Sequence, residues 1–520
     1  MHRMTTGRTE RHSETIVWCV AFTSDHTVIS GDSRGKTSFW DGRTGSLVDS
    51  VQSHKADVLA LAVSQDETTA YSTGVDPTLM HFQVVVKGDG RRKWVKSLHR
   101  VISGHDVRAV VVGGDGMLYS GGVDSYLGVS QYPAHRTTVK LPHLPRAAVG
   151  VASQARTVLL AHPARLEVWR LGTTNTMTGG LGAVLPLDTP PAKLLEISVK
   201  SGETVLASAI HPAGAWLAYS TTARLRLLQL KEEGGGGADR ISISGAGPAL
   251  LLALYSMGET EEPRLLVCPR DEGGVVVYSV EEGGAGVVHQ ASTAELGLSS
   301  QPSRLVVAGE RALLADRTGT VICLNLATHQ LLSKLPSYSE AALSSLGLAP
   351  SGATALLAYS DNRLVEVDTT TGRYTQFGRE LPARLPRSWL ARRTPVNNVV
   401  HIAGNEDVIL MHDHGILATL DKDKEMPEPS SKLFYSDPRS TPDTATDSQS
   451  VSSFGSQTTA VSQGGGEQWL SAGLRVSRKY EHLVSLHHLA GDEIVAVEVR
   501  PASIEALLPP SLKQKKFGGS

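Results

Sequence analysis

Two sets of residues carry the side chains of a hydrolytic triad: His54, Ser72 and Asp76, and again His105, Ser120 and Asp124. A histidine that takes the proton of a serine hydroxyl while a carboxylate orients it would make a nucleophile. Two features argue against that chemistry. The set recurs at a repeat spacing, as structural parts do and a single active site does not. Nucleophilic attack also needs donors for the developing oxyanion, and no signature of them is present. The expected role is structural: a histidine ahead of a first strand, a serine in the second and an aspartate in the next turn, hydrogen-bonded within one repeat. No catalytic residue is therefore assigned.

The elements that would position these side chains are strands. IVWCVAF is an apolar-alternating strand, TSDH a polar turn, and a second strand ends in Ser-Gly-Asp. A third strand ends in Trp40-Asp41. That phrase is one blade of the WD40 type. Turns at Gly31, Gly74 and Gly122 mark three such units, spaced close to the WD40 period of about 40–45 residues. Further units begin near residues 147, 205, 250, 304, 343, 396 and 480. Seven units are enough to close a radial array and three are not, since an open array leaves strand edges and a half-covered core in water.

The expected architecture is all-β, with tandem WD40 β-propellers. The first is incomplete, with about three blades, and the second has seven. Residues 1–13 are expected to be a disordered N-terminus and 14–145 a partial first propeller. Residues 146–426 would form the second propeller, with 468–500 as its closing strands, pairing with strands near 141–170. Residues 427–467 are rich in Ser, Thr, Pro, Asp and Gly with almost no apolar period. Such a segment cannot bury enough surface to order itself and reads as a disordered insertion. Residues 501–520 form a basic C-terminal tail. The three-blade count, and the absence of a cap before Glu14, lead to the expectation that the front of the chain is truncated.

The remaining polar clusters read as ordinary surface. His412-Asp413-His414 places two histidines on the same side of a strand, as a metal site would. Its position between second and third strands reads as a solvated turn, and no metal is expected. His487-His488 reads as an exposed pair near a turn. Gly234–Gly237 precedes no Lys-Ser or Lys-Thr and starts no helix, so it is not a phosphate cradle. No cofactor and no small-molecule substrate are expected. Arg91, Arg92 and Lys93 in a loop, and Lys513, Lys515 and Lys516 near the end of the chain, are the basic spots open to RNA or an acidic partner.

Composition bounds the rest. The 520 residues carry 50 Lys and Arg against 52 Asp and Glu, a formal net charge of -2. No global basic field exists to grip phosphate backbones. Cys19, Cys268 and Cys323 all lie in apolar strand patterns and read as buried thiols of a reducing compartment. No apolar run is long enough to span a membrane, and the polar start is not a secretory signal.

Particular phrases go beyond the generic repeat. ETIVWCVAFTSDHTVISGDSRGKTSFWD, KWVKSLHRVISGHDVRAVVV, YSGGVDSYL, RLEVWRLG and the terminal DEIVAVEVRPASIEALLPPSLKQKKFG resemble the cirhin family, over nearly the whole chain except 427–467. That family supplies a WD40 subunit of the UTP-A (t-UTP) subcomplex of the small-subunit processome. The resemblance implies a non-enzymatic nucleolar scaffold that supports pre-rRNA transcription and processing to 18S rRNA. It implies other WD40 subunits of that subcomplex, the U3 small nucleolar ribonucleoprotein and pre-rRNA as partners. It also implies that this chain is N-terminally truncated relative to the family. The residues alone reach only a tandem-propeller interaction scaffold. A WD40 adaptor of a ubiquitin ligase or chromatin complex satisfies them equally, and a propeller hydrolase is the third class.

Overall fold

The computed structural model describes residues 4–6, 14–86, 88, 92–131, 138–142, 149–174, 186–231, 237–257, 262–430, 435–436, 472–478, 480, 482–489, 493–499 and 506–510. Among them lie ten strand sets, one for each unit of the repeat, paired antiparallel except where Tyr435–Ser436 runs parallel to Leu474–Ser477. The chain divides into two compact units, residues 1–143 with 500–520, and residues 144–499.

The first unit holds three four-stranded sheets. Their first strands, Val17–Phe22, Val58–Val63 and Val107–Val112, lie side by side. Period-two alternation decides what each strand buries. In Val58–Val63 every second residue is buried. Ile29, Phe39, Ala70, Met80, Phe82 and Trp94 fill the space between the first two sheets. Phe39 stacks on Trp94 and meets Phe82 edge-on, both at 5.4 Å. Close backbone approach explains Gly74, because a Cβ there would lie 1.9 Å from the Asp57 carbonyl oxygen. The first strand leaves one row uncovered: Ile16, Trp18, Val20 and Phe22 are all at least half exposed.

The second unit is a closed ring of seven sheets. Their first strands are Val149–Ala152, Val205–Ile210, Ala249–Met257, Pro302–Ala308, Leu343–Leu348, Asn398–Ile402 and Leu483–His488. Each neighbours the next, and Leu483–His488 neighbours Val149–Ala152. Closure departs from the expected strand pairing. Leu483–His488 hydrogen-bonds as a ladder with Ile494–Glu498 alone among the described residues, and it meets Val149–Ala152 by packing. Side chains latch that joint. Arg156 Nη1 donates to Glu493 Oε2 at 2.6 Å and the Thr174 hydroxyl donates to Glu493 Oε1. Those two bonds outweigh the desolvation of the Glu493 carboxyl, the Thr174 bond first, and hold its pKa below the usual range.

Two short helices interrupt the ring between its fifth and sixth sheets: α1, Gln376–Arg384, and α2, Arg387–Leu390. Thr375 caps α1, its Oγ1 accepting the Gly378 amide at 2.9 Å. Gly378, Leu381 and Leu385 face the core, and Trp389 is fully buried with its Nε1 donating to Asn362 O at 2.7 Å. Gly378 is required, since a Cβ would meet Glu366 O at 2.0 Å.

The insertion expected at 427–467 lies outside the described residues apart from 427–430 and the two-residue strand Tyr435–Ser436. Of the tail, residues 506–510 are described, and they belong to the first unit.

Candidate functional site

In the second sheet the spacing of His54, Ser72 and Asp76 becomes geometry. His54 Nδ1 lies 2.5 Å from Asp76 Oδ1, and Nε2 lies 2.7 Å from Ser72 Oγ. Nδ1–H donates to the carboxylate, and Nε2 shares a hydrogen bond with the serine hydroxyl. Burial works against the Asp76 carboxylate. The His54 bond and charge and the Lys55 amide outweigh it and keep the pKa below the usual value. The distances are those of a catalytic triad, but access is not. Ser72, His54 and Asp76 are 0%, 3% and 6% exposed, so no substrate atom can approach the serine. The three tie the second strand to the turns around it.

Trp40 and Asp41 sit at the end of the third strand of the first sheet. Trp40 Nε1 donates to Ser30 Oγ at 2.8 Å inside the blade. Asp41 Oδ1 accepts the Arg43 amide at 2.8 Å and Oδ2 accepts the Thr44 hydroxyl at 2.9 Å. Those bonds, the Arg43 amide first, hold its pKa down.

The third sheet departs from the expected pattern. His105 Nδ1 accepts the Asp106 amide at 2.8 Å, which leaves Nε2–H to donate. It donates to Pro509 O at 2.6 Å, in the returning C-terminal segment. Ser103 supplies the bond to Asp124, at 2.6 Å, while Ser120 Oγ donates only to Gly128 O, at 3.5 Å. His105, Ser120 and Asp124 therefore do not form a set like that of the second sheet. The histidine serves as a clasp for the tail.

Two other expectations are corrected. His412 and Asp413 are 1% and 2% exposed, not in a solvated turn. Asp413 Oδ2 accepts from Arg392 Nη2 at 2.5 Å and Thr394 Oγ1 at 2.6 Å, and Oδ1 accepts the Gly415 and Ile416 amides. An arginine arriving from the helical insertion makes burial of that carboxylate tolerable. His487 and His488 lie in strand Leu483–His488 at the ring joint, and His487 Nε2 is buried. Burial pushes the His487 pKa down to about 4, helped by the neighbouring His412. Among the described residues no three His, Cys, Asp or Glu side chains converge as metal ligands, and no helix is long and apolar enough to cross a membrane. Cys268 and Cys323 are buried thiols and Cys19 is half-buried. Burial pushes the Cys19 thiol up to about 11 and Cys268 to about 12, so neither is a ready nucleophile.

The basic spots divide. Arg92 and Lys93 lie in strand Arg92–Val101 and not in a loop. The alternation of KWVKSLHRV continues the hairpin through them. Arg92 pairs with Asp25 at 3.0 Å and Lys93 with Asp49 at 3.3 Å, which neutralises both. Arg91, Lys513, Lys515 and Lys516 lie outside the described residues.

A basic surface that the strand pattern does not reveal is carried by α1, α2 and the residues flanking them. Arg373, Arg379, Arg384, Arg387 and Arg393 are all exposed there. Only Arg384 has a carboxylate partner among the described residues, Glu380 at 2.6 Å. The available sequence signal was Thr375 as a cap followed by Phe377, Leu381 and Leu385 at helical spacing.

The WD domain, G-beta repeat family matches residues 5–41. The chain is 30% identical to the U3 small nucleolar RNA-associated protein 4 homolog of Mus musculus, over 97% of this chain and 72% of the mouse protein. It is 28% identical to the Homo sapiens homolog over 97% of this chain and 71% of that one. The Saccharomyces cerevisiae U3 small nucleolar RNA-associated protein 4 is 26% identical over 45% of this chain and 30% of its own length. The crystal structure of Saccharomyces cerevisiae Sqt1 overlaps at a TM-score of 0.36 and 10% identity, covering 70% of this chain and 82% of that one. A tandem WD40 propeller chain that matches the mouse protein over nearly all of its own length belongs to the U3 small nucleolar RNA-associated protein 4 family.

Proposed function

We propose that this protein is a non-enzymatic scaffold of the small-subunit processome, acting in the nucleolus. It joins other WD40 subunits of the UTP-A subcomplex and works with the U3 small nucleolar ribonucleoprotein on pre-rRNA. In that setting it supports pre-rRNA transcription and the processing that yields 18S rRNA. The observation that carries the reading is the family membership, at 30% identity along 97% of the chain. The burial of His54, Ser72 and Asp76 supports a binding role, because the one triad-like geometry described has no route for a substrate. Propeller folds act mainly by presenting loops and faces to partners.

The test is affinity purification of the tagged full chain from eukaryotic cells, with identification of bound proteins and RNA. Enrichment of U3 small nucleolar RNA, pre-rRNA and sister WD40 proteins is expected. Recovery of ubiquitin-ligase or chromatin subunits without U3 would overturn the proposal.

A further inference from the structure

We infer that the α1–α2 insertion is a direct RNA-binding surface that grips the phosphate backbone through Arg379, Arg387 and Arg393, with Arg373 beside them. Residues 373–393 hold six arginines against one glutamate, in a chain whose net charge is -2. Arg392 is half-buried and neutralised by Asp413, and Arg384 is paired with Glu380. Arg373, Arg379, Arg387 and Arg393 are exposed and have no ion-pair partner among the described residues. Elsewhere in the ring Arg156, Arg165, Arg224, Arg264, Arg270 and Arg363 each face a carboxylate, and the exposed Arg170, Arg240 and Arg317, which have no ion pair among the described residues, are scattered along the sequence and not clustered as in 373–393. Like charges concentrated without counter-charges repel, and a bound polyanion relieves that cost.

The surface is also rigidly presented. Leu381, Leu385 and Trp389 anchor it from beneath, so the arginines project from a fixed frame. The Arg387 amide donates to Pro429 O at 2.9 Å, which fastens the start of α2 to the segment around 427–430.

The absence of exposed apolar side chains selects the partner class. No large hydrophobic residue between Tyr338 and Ile494 is exposed among the described residues. A protein partner would need an apolar anchor at the centre of its contact, and a lipid surface would need an inserted apolar face. A phosphate backbone needs neither. Planar guanidinium forks match phosphate oxygens two bonds at a time. That the polyanion is RNA and not DNA rests on the function proposed above. Phosphate contacts of this kind fix position and carry no sequence preference by themselves.

The experiment is fluorescence anisotropy of a labelled mixed-sequence RNA oligonucleotide with the full chain. Four single-strand phosphate contacts give a slope of log K against log salt of about −2.8, a loss of roughly 50-fold between about 50 and 200 mM salt. The triple variant Arg379→Gln, Arg387→Gln, Arg393→Gln should flatten the slope by about 2. Arg379→Lys, Arg387→Lys, Arg393→Lys should keep the slope while weakening affinity. Arg240→Gln with Arg317→Gln, exposed elsewhere on the ring, should change nothing. These side chains are exposed, so the melting temperatures should stay together. An unchanged slope in the glutamine variant would overturn the inference. So would displacement of the RNA by polyglutamate as readily as by unlabelled RNA of equal charge, which would make this an acidic-protein site. U3 co-purification by the same glutamine variant separates the two readings: scaffold assembly surviving without this contact leaves the proposed function intact.

Discussion

Lowering the pH from 7 to 5 should loosen the joint between the sixth and seventh sheets of the ring, and the cause is a pair of buried histidines. His401 is 7% exposed, and neither of its ring nitrogens has a hydrogen-bond partner among the described residues. Burial, with Lys422 adding to it, pushes its pKa from the ordinary 6.5 down to about 4. His487, on the neighbouring inner strand, is likewise pushed down to about 4, by burial and then by His412. The folded state keeps both rings neutral until about pH 4, whereas the unfolded chain protonates them below about 6.5. Their contribution is therefore fully present above pH 6.5, falls as the pH drops toward 4, and levels off below that. At pH 5 the loss is about 2 kcal/mol for each ring, or about 4 kcal/mol for the two together. Glu493, Asp316 and Asp368 are held below their ordinary values, which already lie below pH 5, so they stay ionised between pH 7 and 5. Native-state hydrogen exchange, corrected for intrinsic rates, would read the opening free energy of strands Asn398–Ile402 and Leu483–His488 at each pH. His401→Leu removes one titrating ring and two unpaired buried nitrogens. It should raise protection at pH 7 by about 1 kcal/mol and diminish the acid loss by about 2 kcal/mol. Equal protection at pH 5 and 7, or an undiminished loss in His401→Leu, would refute the reasoning.

Other outcomes follow from single contacts. Glu493→Ala cuts both bonds of the ring latch and should speed exchange in Leu483–His488 and Ile494–Glu498 by an opening cost of about 1–2 kcal/mol, leaving the three sheets of the first unit unchanged. His54→Ala should destabilise the second sheet by about 1–3 kcal/mol, because Asp76 is left buried without its partner. His105→Ala should instead free the tail, seen as faster proteolysis within 500–520 with little change in the melting temperature. Trp389→Ala empties a fully buried site and should cost about 3–5 kcal/mol, measured by denaturant unfolding, with loss of the salt-dependent RNA binding if that surface is as inferred.

The blade pattern was legible in the residues because strand alternation and Gly-Asp turns are local properties. Units expected from residues 147, 205, 250, 304, 343, 396 and 480 correspond to strands that start at Val149, Val205, Ala249, Pro302, Leu343, Asn398 and Leu483. The contacts of His54 with Ser72 and Asp76 are of the same kind, since all three sit within one unit of the repeat. What periodicity encodes is that a face is covered; it does not encode what covers it. His105 takes its partner from 404 residues away, and Arg156 meets Glu493 across 337. The burial of His412 and Asp413 was decided by Arg392, delivered from helices of nine and four residues whose pattern is too short to stand out among strands. His487 is buried because the ring closes on it, and ring closure is a property of all seven sheets at once.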